Sequence, residues 1–289
     1  MANLKEIRNR IVSIGSTMKI TSAMKMVSAA KLKKAQDAIT NMRPYANKLT
    51  ELLQNLSATL EGEAGSVFAE KREVKKVLLV AITSNRGLCG AFNSNIIKET
   101  SRIATEKYGD AKVSVFTIGK KGYDVLVKNN DIYDNQTAVF DDLNFENVTK
   151  ITRQIMDSYA EGKFDKIDLI YNRFKNAATQ IPTHESFLPI ESQKTDSSAS
   201  NSNTDYIFEP SKEVIVEQLI PKSLKMQLYK AIRDSYAAEH GARMTAMHKA
   251  TDNAGEMKEE LTLIYNKARQ AAITGEILEI VGGAEALND

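Results

Sequence analysis

Apolar residues near the start of the chain recur in alternating steps of four and three: Ile7, Ile11, Ile14 and Met18. That spacing lines one face of an α-helix and narrows it to the seam of a two-stranded coil. Ile20, Met24 and Val27 then take over a shifted stripe, and Leu32, Ala35, Ile39 and Met42 restore the first phase. The small residues Ser28, Ala29 and Ala30 leave room for a second helix to approach closely. Pro44 is placed to kink the helix. Leu49, Leu52, Leu53 and Leu56 nevertheless carry the pattern on, until Glu61-Gly62 breaks it.

The other end of the chain repeats the theme at greater length. Leu224, Leu228 and Ile232 recur at steps of four; Met257, Leu261, Ile264, Ala268 and Ala271 alternate steps of four and three. No proline follows Pro221, so residues 222–289 can run as one helix of roughly 100 Å. A globular domain cannot cover such a helix alone.

Between Lys75 and Ile190 short β-rich runs alternate with helical ones. Val77–Ile82 is continuously apolar, as a strand buried on both faces must be. Residues 93–107 read as helix, 112–118 as strand, 120–128 as a short helix, 145–159 as helix and 166–172 as a second buried strand. Such alternation predicts a doubly wound, Rossmann-like α/β domain. The serine-rich stretch 193–205 reads as a polar loop; Tyr206–Pro210 reads as a short extended piece, with Ser211 as the N-cap of the final helix. The expected organisation is a first coiled-coil helix over 1–60, an α/β foot over 75–192, a loop and connecting strand over 193–211, and a last coiled-coil helix over 212–289.

Length adds a constraint. A first helix of roughly 80 Å and a last helix of roughly 115 Å that share one base must run antiparallel, and the last overshoots. The overhang begins near Gln270 and is apolar on most of its circumference, so something outside this chain is expected to surround it.

Charge is split between the ends. Across residues 1–43 there are nine Lys or Arg against Glu6 and Asp37, although the whole chain of 289 residues carries only +2. Beyond Arg269 every charged residue is acidic. The two ends therefore suit different partner surfaces. No apolar run reaches the length of a membrane span, and the opening residues lack the apolar core of a signal peptide, so the protein is expected to stay where it is made. Cys89 is the single cysteine, which fits a reducing compartment.

Several local features could carry chemistry. Gly87-Leu88-Cys89-Gly90 follows the first strand, yet it lacks both G-x-x-x-x-G-K-[ST] and G-x-G-x-x-G, so a tight strand-to-helix turn is the better reading. Gly119-Lys120-Lys121-Gly122 reads the same way. Cys89 as a nucleophile would need a nearby histidine base, and none of His184, His240 or His248 lies beside it in sequence. His240 and His248 are eight apart rather than four, which suits helix-surface or seam histidines better than metal ligands. The lysines and arginines of the first helix surround an apolar seam and have no aromatic neighbours before Tyr45, so acidic protein partners fit them better than nucleic acid.

Read together, the two ends resemble one family. KEIRNRI (5–11), MKITSAMKMVSAAKLKKAQ (18–36), YAAEHGARMTAMHKATDNAGEM (236–257) and LTLIYNKARQAAITGEILEIVGGAEAL (261–287) are similar to the γ subunit of rotary F-type ATP synthase; RGLCGAFN (86–93) and YIFEP (206–210) match its middle markers. The resemblance implies a central shaft with no active site, no cofactor and no bound metal. It implies one copy per complex, turning inside the hexamer of alternating α and β subunits, with the ε subunit packed on the α/β domain. The complex would sit peripherally on the cytoplasmic side of the bacterial inner membrane. By the same resemblance, Arg269, Gln270 and Thr274, with Glu276 beside them, meet a loop of the catalytic subunit. Met24, with Arg8, Arg10 and Lys25, meets its lower lobe, and Phe208 and Glu209 meet the membrane c ring. The inserted cysteine pair of chloroplast members is absent, and the loop at 193–205 is longer than the family leads one to expect.

Two other readings stay open at this level. One is an α/β small-molecule-binding protein with coiled-coil oligomerisation arms, which requires a ligand cradle. The other is a coiled-coil nucleic-acid binder, which requires steeply salt-dependent binding through the first helix. Neither accounts for the apolar overhang.

Overall fold

The computed structural model describes residues 4–59, 67–68, 70, 72–190 and 212–285. Two long helices, α1 (Leu4–Thr59) and α5 (Lys212–Glu285), flank a five-stranded sheet with its own helices. Pro44 and Pro221 both lie inside continuous helices. The chain divides into two compact units, Met1–Ala29 with Arg243–Asp289, and Ala30–Ala242.

In the first unit α1 and α5 meet along a seam. Among the α1 positions withdrawn from solvent there, Ile7, Ile11, Ile14, Met18, Thr21, Lys25 and Ser28 keep an unbroken alternation of four and three. The same alternation continues in the second unit through Leu32, Ala35, Ile39, Met42, Ala46 and Leu49. Of the shifted stripe expected at Ile20, Met24 and Val27, only Met24 is half-buried; Ile20 is 61% exposed and Val27 57%, so those two stand outside the seam. Helix geometry sets which side faces the partner, and polar residues occupy the seam where the periodicity requires them. The Thr21 and Thr251 hydroxyls lie 2.8 Å apart across it. Each also reaches the backbone of its own helix, Thr21 to Met18 O and Thr251 to Met247 O. With one proton per hydroxyl, one donates across the seam and the other donates back along its helix.

The second unit holds the sheet, in the order β3-β2-β1-β4-β5. β1 (Lys76–Ile82), β2 (Lys112–Ile118), β3 (Asp131–Gln136) and β4 (Lys166–Phe174) are parallel, and β5 (Gln180–Leu188) is an antiparallel edge strand. Leu78, Val80, Ile82, Phe116, Ile118, Leu169 and Tyr171 turn one face to α4 (Phe145–Ala160) and to Leu224, Leu228 and Ile232 of α5. Val77, Leu79, Ala81, Val115 and Ile170 turn the other to α2 (Phe92–Arg102) and α3 (Lys120–Leu126). Burial on both faces explains why β1 reads as one apolar run.

Asn144 starts α4 as an N-cap, its side chain accepting from Asn147 N at 2.8 Å. Arg233 on α5 donates to Leu143 O beside that cap at 2.6 Å, and Gln227 donates to Ser186 O on β5 at 3.2 Å. Helix α2 closes with a π turn over Ile103–Lys107, where Tyr108 N reaches back to Ile103 O. Two strands are absent from the sequence reading, β3 (DIYDNQ) and β5 (QIPTHESFL). Both are sheet edges and mostly half-buried, so neither carries a continuous apolar run.

Candidate functional site

A doubly wound sheet offers its ligand position outside the carboxyl ends of the strands where the order reverses, here between β1 and β4. This chain fills that crevice with its own groups. Beside it, on the β2 side, the β1–α2 loop takes up the first N–H groups of α3: Lys120 N donates to Asn85 Oδ1 at 3.1 Å, Lys121 N to Ser84 O at 3.0 Å and Gly122 N to Thr83 Oγ1 at 2.9 Å. Gly119 has φ 112°, and a Cβ there would stand 2.3 Å from Thr83 O, so the glycine serves close packing of two turns.

On the other side of the crevice Asn93 Oδ1 accepts from Ser84 N at 3.0 Å, and Asn172 Nδ2 on β4 donates to Phe92 O at 3.0 Å. Cys89 is buried against Ser84 and Asn93. Ala238 and Ala242 of α5 close over Cys89 and Phe92, with Phe174 alongside. At Gly241 a Cβ would come within 3.2 Å of Ala177 Cα, so α5 lies as near as a side-chain-free helix allows. RGLCG and GKKG are thus structural turns, and the place where a nucleotide would lie is packed with protein.

The histidines separate. His240 is buried with its ring edge-on to Tyr236 at 4.5 Å, whereas His248 is exposed and pairs with Asp252 at 3.1 Å. Among the described residues no cluster of three or more His, Cys, Asp or Glu is arranged to hold a metal ion.

What the structure leaves open to solvent is helical surface in the first unit. Arg269, Gln270, Thr274 and Glu276 are all exposed on α5. At 100° per residue, Arg269 and Glu276 share one face, and Gln270 with Thr274 another roughly 130° away. Ile273, Ile277, Leu278, Ile280 and Val281 are also exposed, Ile280 at 71%. On α1, Arg8 and Arg10 are exposed, and Arg10 pairs with Glu6 at 3.5 Å. Met24 and Lys25 are half-buried, Lys25 at a seam position, while Val12, Ile20, Met26 and Val27 are the exposed large apolar residues of that helix segment. Sequence reasoning missed this outer stripe by assigning Ile20 and Val27 to the seam; the unbroken four-three count through Thr21 and Ser28 was the signal that separates the two faces. Phe208 and Glu209 lie outside the described residues.

The family model for ATP synthase matches residues 3–287. The chain belongs to the ATP synthase gamma family. The ATP synthase gamma chain of Flavobacterium johnsoniae is 70% identical over 288 residues, covering 100% of both chains. That of Christiangramia forsetii is 63% identical with the same coverage. Among solved structures, the central stalk and c ring of the Tetrahymena thermophila mitochondrial ATP synthase supplies a chain 27% identical, with TM-score 0.63, covering 80% of this chain and 99% of that one. A chain of the Euglena gracilis mitochondrial enzyme shares the fold at 20% identity, with TM-score 0.72, covering 98% of this chain and 94% of that one. As a gamma chain the protein is a non-catalytic part of the central stalk of a rotary F-type enzyme. A filled crevice and a long exposed helical surface are what such a subunit needs.

Proposed function

We propose that this chain is the rotor shaft that couples turning of a membrane c ring to conformational change at the catalytic sites of an α/β hexamer, with ε on the α/β unit and one copy per complex. The observation that carries the reading is α5. It is a 74-residue helix whose final turns expose Ile273, Ile277, Leu278, Ile280 and Val281 rather than bury them in this chain. Such an apolar, weakly directional surface can turn in an apolar sleeve, because no fixed set of hydrogen bonds has to break at each step. Arg269, Gln270, Thr274 and Glu276 are assigned to a loop of the catalytic subunit. Arg8, Arg10, Met24 and Lys25 are assigned to its lower lobe, and Phe208 and Glu209 to the c ring. The boundaries 1–60, 75–192, 193–211 and 212–289 describe the shaft helices, the foot and its connection.

Among the described residues no helix is long and apolar enough to cross a membrane. Attachment is therefore assigned to the complex, peripherally, on the cytoplasmic side of the bacterial inner membrane. The small-molecule-binding alternative has to place its ligand in a crevice over which Ala238 and Ala242 close on Cys89 and Phe92. The test is purification through a tagged copy of this chain from membranes of its source. Recovery of α, β and ε with ATPase activity supports the shaft; recovery of the chain alone, or with nucleic acid, overturns it.

A further inference from the structure

One cluster of ionisable side chains in the α/β unit lies away from the filled crevice and the helical surfaces described above. Asp168, on β4, is 0% exposed. Its Oδ2 accepts from Tyr108 OH at 2.5 Å and meets His184 Nε2, on β5, at 2.6 Å, with Lys107 Nζ at 3.6 Å. Its Oδ1 is buried and has no hydrogen-bond partner among the described residues. Two different devices bring these groups together. The π turn closing α2 delivers Lys107 and Tyr108. The antiparallel ladder sets His184 opposite Ile170, two residues from Asp168 and on the same face. The ladder shifts register between Ile167 and Asp168, so the cluster sits where backbone pairing of the edge strand is locally disrupted.

We propose that Asp168, His184 and Tyr108 form a proton-binding latch that fastens edge strand β5 to the sheet and to the π turn. With the carboxylate ionised, the bonds from His184 and Tyr108 are charge-assisted and strong. The proton that matters goes to the Asp168 carboxyl; it removes the negative charge on which the three donors converge and releases β5. The other charged groups around the pair are Lys107 from the π turn, and Glu99, which acts on His184 from α2 and is itself held by Arg102 at 2.6 Å; Arg102 also binds Glu106. On the opposite face β5 has separate ties, Tyr171 OH to Glu185 Oε1 at 2.8 Å and Gln227 to Ser186 O, which do not involve the pair. The latch is therefore local to one strand. Burial works to raise the Asp168 carboxyl, but the bonds from His184 and Tyr108 and the electrostatic pull of His184 and Lys107 outweigh it, leaving it below its ordinary value. Release accordingly belongs to acid conditions.

Hydrogen exchange on the full-length chain, read by mass spectrometry over 180–188 against the 76–82 peptide, tests the latch. His184→Leu should speed exchange of β5 about tenfold at neutral pH with β1 unchanged, and His184→Gln, which keeps a donor, should restore most of the protection. In wild type the β5-to-β1 protection ratio should fall on acidification, and Asp168→Asn should flatten that fall. Wild-type protection of β5 in His184→Leu, or a ratio independent of pH, overturns the proposal.

Discussion

Single residues in this chain earn their identity from particular contacts. Gly119 and Gly255 make the contrast clear. The first has φ 112° and backbone at 2.3 Å from any added Cβ; the second, inside α5, has nothing within 4 Å. Gly119→Ala should therefore destabilise the α/β unit by about 2 kcal/mol or more, whereas Gly255→Ala should stabilise its helix by about 0.5–1 kcal/mol. Urea unfolding of the two variants checks both signs. Asp134, on β3, supplies a pH-dependent case. Burial tends to raise its carboxyl, and bonds from Gln154, Gln136 and Asn135 N outweigh that and lower it. A depressed folded value means the stabilisation is present above the unfolded value of about 3.9 and is lost as pH falls through the folded one. Asp134→Asn should thus lower the urea midpoint at pH 7, and the two proteins should converge in acid.

At the scale of elements, legibility followed burial. Val77–Ile82 is sunk between helices on both faces, so composition alone marks it as a strand. β5 carries Pro182 and then four polar residues in a row, Thr183–Ser186, so nothing in its sequence outweighs a loop reading until β4 is there to pair with it. The long helices were legible from period, but their facing was not. Ile20 and Val27 outrank Thr21 and Ser28 in hydrophobicity, and only the unbroken count of fours and threes puts the threonine and serine inside. The partner-contact assignments rest on family resemblance alone, because exposed helix positions carry no periodic signature of their own. The seam makes a prediction at this scale. Thr21→Val leaves the Thr251 hydroxyl without its cross-seam partner and should cost about 1 kcal/mol, while adding Thr251→Val should cost less than the sum of the two single changes. A double-mutant cycle by thermal unfolding measures the coupling; strictly additive effects would remove Thr21 and Thr251 as a pair.

The whole molecule gives up a ligand crevice and keeps a helical surface. Ala238, Ala242 and Gly241 bring α5 into the position a nucleotide holds in related topologies, so the α/β unit grips one of the shaft helices. Arg269 and Gln270 stand exposed near the other end of that helix. Replacing both with alanine should leave the chain folded and reduce ATP-driven proton pumping in reconstituted membranes; pumping at the wild-type rate would withdraw those two residues from the torque path. The most direct test of the shaft is single-molecule rotation. A bead attached through Lys175→Cys, an exposed position on the α/β unit, is observed while the chain is held in an immobilised α/β hexamer supplied with ATP. The account predicts continuous rotation in one direction that stops when ATP is withdrawn. ATP hydrolysis at full rate with a stationary or randomly moving bead would contradict it.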